Sequence, residues 1–117
     1  SGLPKLAPIV PITSRTSHTT SVRKIVSGKT YVDIQANGPV ADFKVTRLSN
    51  PERLVIDLPG ANSLLTGKPV AINKFGISKL RIGVNPEYVR IVVDASKSEF
   101  PKYTVTKVKD GLRISFK

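Results

Sequence analysis

Two similar motifs hold the residues of this sequence that are best suited to ionic chemistry. Arg53 is followed by an apolar run and Asp57, and further along the chain Arg90 is followed by a similar run and Asp94. Opposite charges on neighbouring strands attract each other, and arginine can bind a carboxylate through two parallel hydrogen bonds. We therefore expect Asp57 and Asp94 to form ion pairs with Arg53, Arg81 or Arg90 across neighbouring strands.

The sequence lacks the residue sets that enzymes use. Its one histidine, His18, lies in a Ser/Thr-rich stretch, and there is no cysteine to serve as a nucleophile, a thiolate ligand or a disulfide partner. Zinc needs three or four nitrogen, sulfur or carboxylate ligands, and the scattered acids offer neither such a set nor a carboxylate pair for glycoside hydrolysis. We expect no enzymatic activity, no catalytic residue, no metal site and no cofactor.

The charge balance points to a negatively charged partner. The chain has 19 Lys and Arg against 8 Asp and Glu, which gives a net charge of +11. Such a chain is attracted to nucleic acid, anionic lipid or an acidic cell-wall polymer, although charge can also serve solubility alone.

The aromatic residues bear on nucleic-acid binding. Tyr31 is out of phase with the apolar residues and could stack on a base, but Phe43 and Phe116 are in the inward phase. Single-strand binders use several exposed aromatic residues, so nucleic acid is the weakest of these interpretations.

Period-two alternation of apolar and polar residues predicts strands along most of the chain. The Asp110-Gly111 pair between two alternating segments indicates a hairpin. No segment has the spacing of an amphipathic helix, and no apolar run approaches the ~18 residues that span a bilayer, so we expect no membrane insertion by this segment. These observations predict an all-β fold, a small β-sandwich of two mostly antiparallel sheets with about eight short strands. The strands are expected at 22–27, 31–36, 43–48, 50–58, 77–84, 89–95, 103–109 and 112–116, with a further short strand possible at 70–72.

The chain divides into an N-terminal tether and one folded domain. Residues 1–21 are rich in proline, serine and threonine, which favours an extended linker, although its apolar residues could add an edge strand. Its first two residues, Ser1-Gly2, resemble the scar of an expression tag. Residues 22–117 form the expected sandwich, and the recurrence of an Asn-Pro-Glu turn before each Arg/Asp motif suggests two related halves.

Four segments in this order resemble those of an AMIN domain over about residues 22–117. They are PERLVIDLPG at 51–60, ISKLRIG at 77–83, VRIVVD at 89–94 and GLRISF at 111–116. The resemblance implies a sandwich of two small sheets and a non-catalytic module of bacterial envelope proteins that attaches to peptidoglycan. Such modules precede the zinc-dependent catalytic domain of periplasmic N-acetylmuramoyl-L-alanine amidases and lie at the N-terminus of type IV pilus secretins.

Peptidoglycan presents free peptide carboxylates, which the forked guanidinium of arginine binds better than lysine does. With the binding role that the resemblance implies, the outward-facing residues Arg53, Arg81, Arg90 and Lys79 are the candidate ligand-binding residues. Alternatively, the arginines hold the sandwich together by pairing with Asp57 and Asp94.

The resulting hypothesis is a peptidoglycan-binding module in the N-terminal region of a type IV pilus outer-membrane secretin. The expected partners are peptidoglycan, other domains or subunits of the secretin, and pilus accessory proteins, in the periplasm at the outer membrane. The alternatives are the targeting domain of a cell-wall amidase, a protein-docking module that adds a strand at a sheet edge, and, last, a single-stranded nucleic-acid binder.

Overall fold

The period-two alternation of the sequence is realised as short strands. The computed structural model describes residues 20–65 and 67–117, and every regular element in this part of the chain is a strand. The strands are β1 (Ser21–Ser27), β2 (Tyr31–Ala36), β3 (Lys44–Leu48), β4 (Arg53–Pro59), β5 (Asn62–Ser63), β6 (Val70–Lys74), β7 (Ile77–Val84), β8 (Tyr88–Ala95), β9 (Tyr103–Val108) and β10 (Gly111–Phe116). Residues 1–19 of the expected tether lie outside the described residues, so the boundary between tether and domain stays a prediction.

The strands form two five-stranded sheets. The first sheet has the order β5-β1-β2-β10-β9, and the second has the order β3-β4-β8-β7-β6. Neighbouring strands are antiparallel except β1 and β5, which pair in parallel over two residues. This confirms the predicted all-β sandwich, with ten strands rather than about eight. The additional strands are β5, which was not predicted, and β6, whose position was predicted only as a possible strand.

The core lies between the sheets and is built from one face of each strand. On the second sheet, alternate residues of β4 and β8, among them Leu54, Ile56 and Ile91, are fully buried, and Ile34 and Ile114 pack from the first sheet. Val84 follows the inward phase of β7, yet it is 55% exposed, because it is the last residue of the strand before an exposed turn.

The two copies of the Arg/Asp motif are neighbours in one sheet. They form β4 and β8, which pair antiparallel, so that Arg53 lies opposite Asp94 and Asp57 lies opposite Arg90. The two related halves suggested by the repeat therefore do not correspond to the two sheets. The repeat describes a pair of central strands in the second sheet.

Candidate functional site: the arginine face

The register of the second sheet brings the four predicted binding residues to one surface. Leu54, Ile56 and Leu58 of β4 point into the core, so the residues between them point outward. Cross-strand partners share a face, which places Arg53 and Arg90 on the outer side together with Lys79 and Arg81 of β7. We call the outer surface of β4, β8 and β7 that contains Arg53, Lys79, Arg81 and Arg90 the arginine face.

Arg90 is held in place by Asp57 on the neighbouring strand. Its Nε donates to one carboxylate oxygen at 2.8 Å and its Nη2 donates to the other at 3.1 Å. The guanidinium also lies 5.2 Å from the ring centroid of Tyr88 on its own strand. The hydrogen bonds to Asp57 raise the pKa of Arg90 above its ordinary value, so the side chain stays charged at all physiological pH values.

Arg81 forms the second bidentate pair of the face. Its Nε and Nη2 donate to the two carboxylate oxygens of Asp94 at 2.7 and 2.9 Å. Arg81 lies opposite Val92, so this pair runs diagonally across β7 and β8. The arginine side chain is 47% exposed and that of Asp94 only 13%, which leaves the outer part of the guanidinium accessible to solvent. The hydrogen bonds to Asp94 raise the pKa of Arg81. The prediction that Asp57 and Asp94 pair with arginines across strands is confirmed.

Arg53 and Lys79 differ from the two paired arginines. The Nη1 atom of Arg53 donates to the backbone oxygens of Pro51 at 2.7 Å and Ser49 at 3.3 Å, so Arg53 fastens the turn before β4. Lys79 lies opposite Asp94, but its side chain forms no salt bridge or hydrogen bond with the described residues. The Lys79 ammonium therefore has no carboxylate partner in this part of the chain.

The ion pairs leave each arginine with donors for a ligand. Arg81 and Arg90 use Nε and Nη2 within the protein, while Nη1, with two N–H groups, has no hydrogen-bond acceptor among the described residues. The aspartates fix the plane of each guanidinium, so a ligand carboxylate meets donors whose orientation is already set. The arrangement can bind anions by hydrogen bonding and charge. Within residues 20–65 and 67–117 there is no group of three or more acids or histidines placed to hold a metal ion.

A third bidentate pair lies on the outer face of the first sheet and was not predicted. Arg113 donates from Nε and Nη2 to the carboxylate of Asp33 at 2.7 and 2.9 Å, and its guanidinium lies 3.9 Å from the ring centroid of Tyr31. These hydrogen bonds raise the pKa of Arg113. One face of Tyr31, the residue considered for stacking on a base, is therefore covered by Arg113. Both Asp33 and Arg113 have the outward phase in the sequence, but only the pairing of β2 with β10 makes them neighbours.

A fourth ion pair, also not predicted, joins Arg47 of β3 to Glu52 in the turn before β4. Nη2 of Arg47 lies 3.0 Å from a carboxylate oxygen of Glu52, and the guanidinium lies 5.4 Å from the ring centroid of Phe100. Hydrogen bonds from Ser49 and Arg47 hold the pKa of Glu52 below its ordinary value of 4.5. Arg47 lies opposite Leu54, which points into the core, so Arg47 does not share the outer surface of the sheet with the arginine face.

Comparison with known proteins gives one finding. A family model described as the AMIN domain matches residues 19–116, which is most of the chain. No curated protein and no solved structure matches the chain. A search of the described residues for a membrane-spanning helix finds none.

Proposed function

The chain belongs to the AMIN domain family, and from this premise we propose that its arginine face binds peptidoglycan for a type IV pilus outer-membrane secretin. AMIN domains are non-catalytic modules that target envelope proteins to peptidoglycan. The family therefore gives the general role, while the choice of parent protein, the binding residues and the position at the outer membrane are parts of the proposal.

The observation that carries the proposed site is the free Nη1 group on each of two fixed guanidiniums. Arg81 and Arg90 are each held by an aspartate through two hydrogen bonds, and each retains two N–H donors that point away from that aspartate. Stem peptides of peptidoglycan carry carboxylates, which accept such hydrogen bonds. Lys79 adds an unpaired charge on the same face, and Arg53 keeps the adjoining turn in place.

The composition of the N-terminal segment supports a secretin as the parent protein. Residues 1–21 contain Pro4, Pro8 and Pro11 and then a Ser/Thr-rich stretch, as expected of a linker in a protein with several modules. The envelope location follows from the family, and the secretin would place this module in the periplasm beside the outer membrane. A cell-wall amidase is the other parent that the family allows.

The experiment is a pull-down on purified peptidoglycan sacculi at about 150 mM salt, where the screening length is roughly 8 Å. Arg81→Lys and Arg90→Lys preserve the charge but remove both the fork that binds the aspartate and the oriented Nη1 donors that remain for a ligand. We expect each to weaken retention about tenfold, because charge-assisted hydrogen bonds to the ligand are lost. Arg53→Ala and Lys79→Ala test the remaining members of the face.

A matched control is Arg23→Ala, which removes one exposed positive charge from β1 of the other sheet. This variant is expected to bind as the wild type does, and every variant is checked by thermal melting. If the wild type is not retained, the wall-binding role is wrong. If Arg23→Ala loses as much retention as Arg81→Lys or Arg90→Lys, the attraction is generic and the arginine face is not the site.

A further inference from the structure

The four edge strands of the sandwich are not equally open to another strand. In the first sheet β5 has only two residues, while in the second sheet β6 has a register shift and contains Asn73 with φ 52°. Short or irregular edges do not readily accept a further strand. The edges β9 and β3 differ from these, because each pairs with its inner neighbour in unbroken register. Of these two, β9 is the longer, with six paired residues.

The backbone of β9 presents a regular row of unpaired groups. The N–H of Lys117 donates to the backbone oxygen of Lys102 at 3.2 Å, and hydrogen-bonded pairs alternate along an antiparallel ladder. Even-numbered residues of β9 therefore bond to β10. The N–H and C=O groups of Tyr103, Val105 and Lys107 face the open edge, where the described residues provide no further strand.

The surface beside this edge is basic and partly aromatic. A cleft of about 390 Å³ is lined by Arg47, Lys102 and Lys117 together with Phe100 and Tyr103, and no acidic residue lines it. The rings of Phe100 and Tyr103 pack edge to face at 5.5 Å, which gives the cleft a rigid wall. Lys102 and Lys117 form no ion pair with the described residues, so their charge is available to a partner.

These charges discriminate between possible occupants of the edge. The lysines on and beside β9, which are Lys102, Lys107 and Lys117, disfavour pairing with a second copy of the same chain, since like charges would meet. The same lysines attract a strand that carries carboxylates. We propose that β9 accepts an extended acidic segment of a partner protein as a sixth strand of the first sheet, with acidic side chains beside Lys102 and Lys117. This docking site is separate from the arginine face and does not depend on wall binding.

The probe for this site is an acetylated peptide of alternating glutamate and valine, about eight residues long, enough to pair with the whole of β9. Binding is followed by the backbone amide signals of the full chain in NMR titrations. We expect the largest shifts, and new protection from hydrogen exchange, at Tyr103, Val105 and Lys107. A peptide of the same sequence with every backbone nitrogen methylated carries the same charge but lacks the N–H donors, and it should bind at least about tenfold more weakly.

Two variants separate the contribution of backbone hydrogen bonds to peptide binding from the contribution of charge. Val105→Pro removes an N–H that faces the open edge and leaves the ladder with β10 intact, as edge positions permit. Lys102→Glu with Lys117→Glu reverses the charge of the cleft and should weaken binding at least about tenfold. Lys29→Glu with Lys68→Glu makes the same change of net charge outside this edge and should retain most of the affinity. If Val105→Pro does not fold, comparison of the Lys102→Glu, Lys117→Glu variant with the Lys29→Glu, Lys68→Glu variant still tests the proposal.

Several outcomes would overturn the proposal. Equal binding of the N-methylated peptide, shifts located on another edge, or no binding of the glutamate–valine peptide would each show that β9 is not a docking strand for acidic segments. Dimerisation that Val105→Pro abolishes would assign the edge to a second copy. Strong protection of the Tyr103, Val105 and Lys107 amides before peptide is added would show that the chain itself occupies the edge. None of these outcomes bears on retention by sacculi.

Discussion

Among the described residues every ion pair is made by an arginine and none by a lysine. The four arginines are Arg47, Arg81, Arg90 and Arg113. Three of them bind their aspartates through Nε and Nη2 together, which the compact ammonium of lysine cannot reproduce. At the scale of single residues, arginines thus order the outer faces of both sheets, while lysines carry charge that remains available to partners.

The pair between Asp33 and Arg113 should contribute more to stability than the pair between Asp57 and Arg90. Asp33 is only 9% exposed, and the guanidinium of Arg113 also packs 3.9 Å from the ring centroid of Tyr31. We expect Asp33→Ala to lower the free energy of unfolding by about 1–3 kcal/mol, the range for hydrogen bonds to charged groups with little solvent access. Asp57→Ala, on the more exposed arginine face, should cost about 1 kcal/mol or less. Urea unfolding of the two variants measures both values, and equal losses would contradict this ranking.

At the scale of strands, alternation predicts most of the residues that face the core, with Val84 as an exception. Leu112, Ile114 and Phe116 alternate with polar residues and are buried as predicted, because one side of a strand must pack on the opposite sheet. The two-residue strand β5 could not be predicted in this way. Asn62 and Ser63 have no apolar alternation and become a strand only because β1 lies beside them.

Whether the pairing of two site residues can be predicted from the sequence depends on which strands lie side by side in the sheet. Asp57 and Arg90 belong to the repeated motif, so their pairing was expected from the sequence. Asp33 and Arg113 lie far apart in the chain and become partners only through the pairing of β2 with β10. The contacts of Arg53 with backbone oxygens depend on the conformation of the turn before β4, which residue types alone do not specify.

The β9–β10 hairpin depends on a glycine at the start of its second strand. Gly111 has φ 140°, and a Cβ atom there would overlap the backbone oxygen of Ile34 on β2. We expect Gly111→Ala to lower the free energy of unfolding by about 2–4 kcal/mol, because strain and a backbone displacement add together. Gly83→Ala is the matched control, since Gly83 is also in a strand but has open space and no positive φ. It should be neutral or slightly stabilising. If urea unfolding shows a similar loss of stability in both variants, the conformation of Gly111 and its close contact with Ile34 are not the cause.

At the scale of the whole molecule, the unpaired lysines give the module a long-range positive field. The net charge is +11, and four of the eight acids are already bound by arginines. Such a field attracts anionic polymers in general and raises their local concentration, whereas selection among them requires oriented donors. In our proposal these donors belong to Arg81 and Arg90 of the arginine face, so that lysines supply attraction and arginines supply selection.

The same field should destabilise the fold at low ionic strength. Raising NaCl from about 20 to about 300 mM shortens the screening length from roughly 20 Å to roughly 6 Å, which weakens repulsion among the lysines. The bidentate arginine pairs are in direct contact and are screened less. We therefore expect the melting temperature to rise by about 3–6 °C over this range in circular dichroism melts. Lys24→Gln, Lys29→Gln, Lys68→Gln and Lys102→Gln together lower the net charge from +11 to +7 and should make the rise smaller. A melting temperature that falls with salt would mean that the ion pairs outweigh the repulsion.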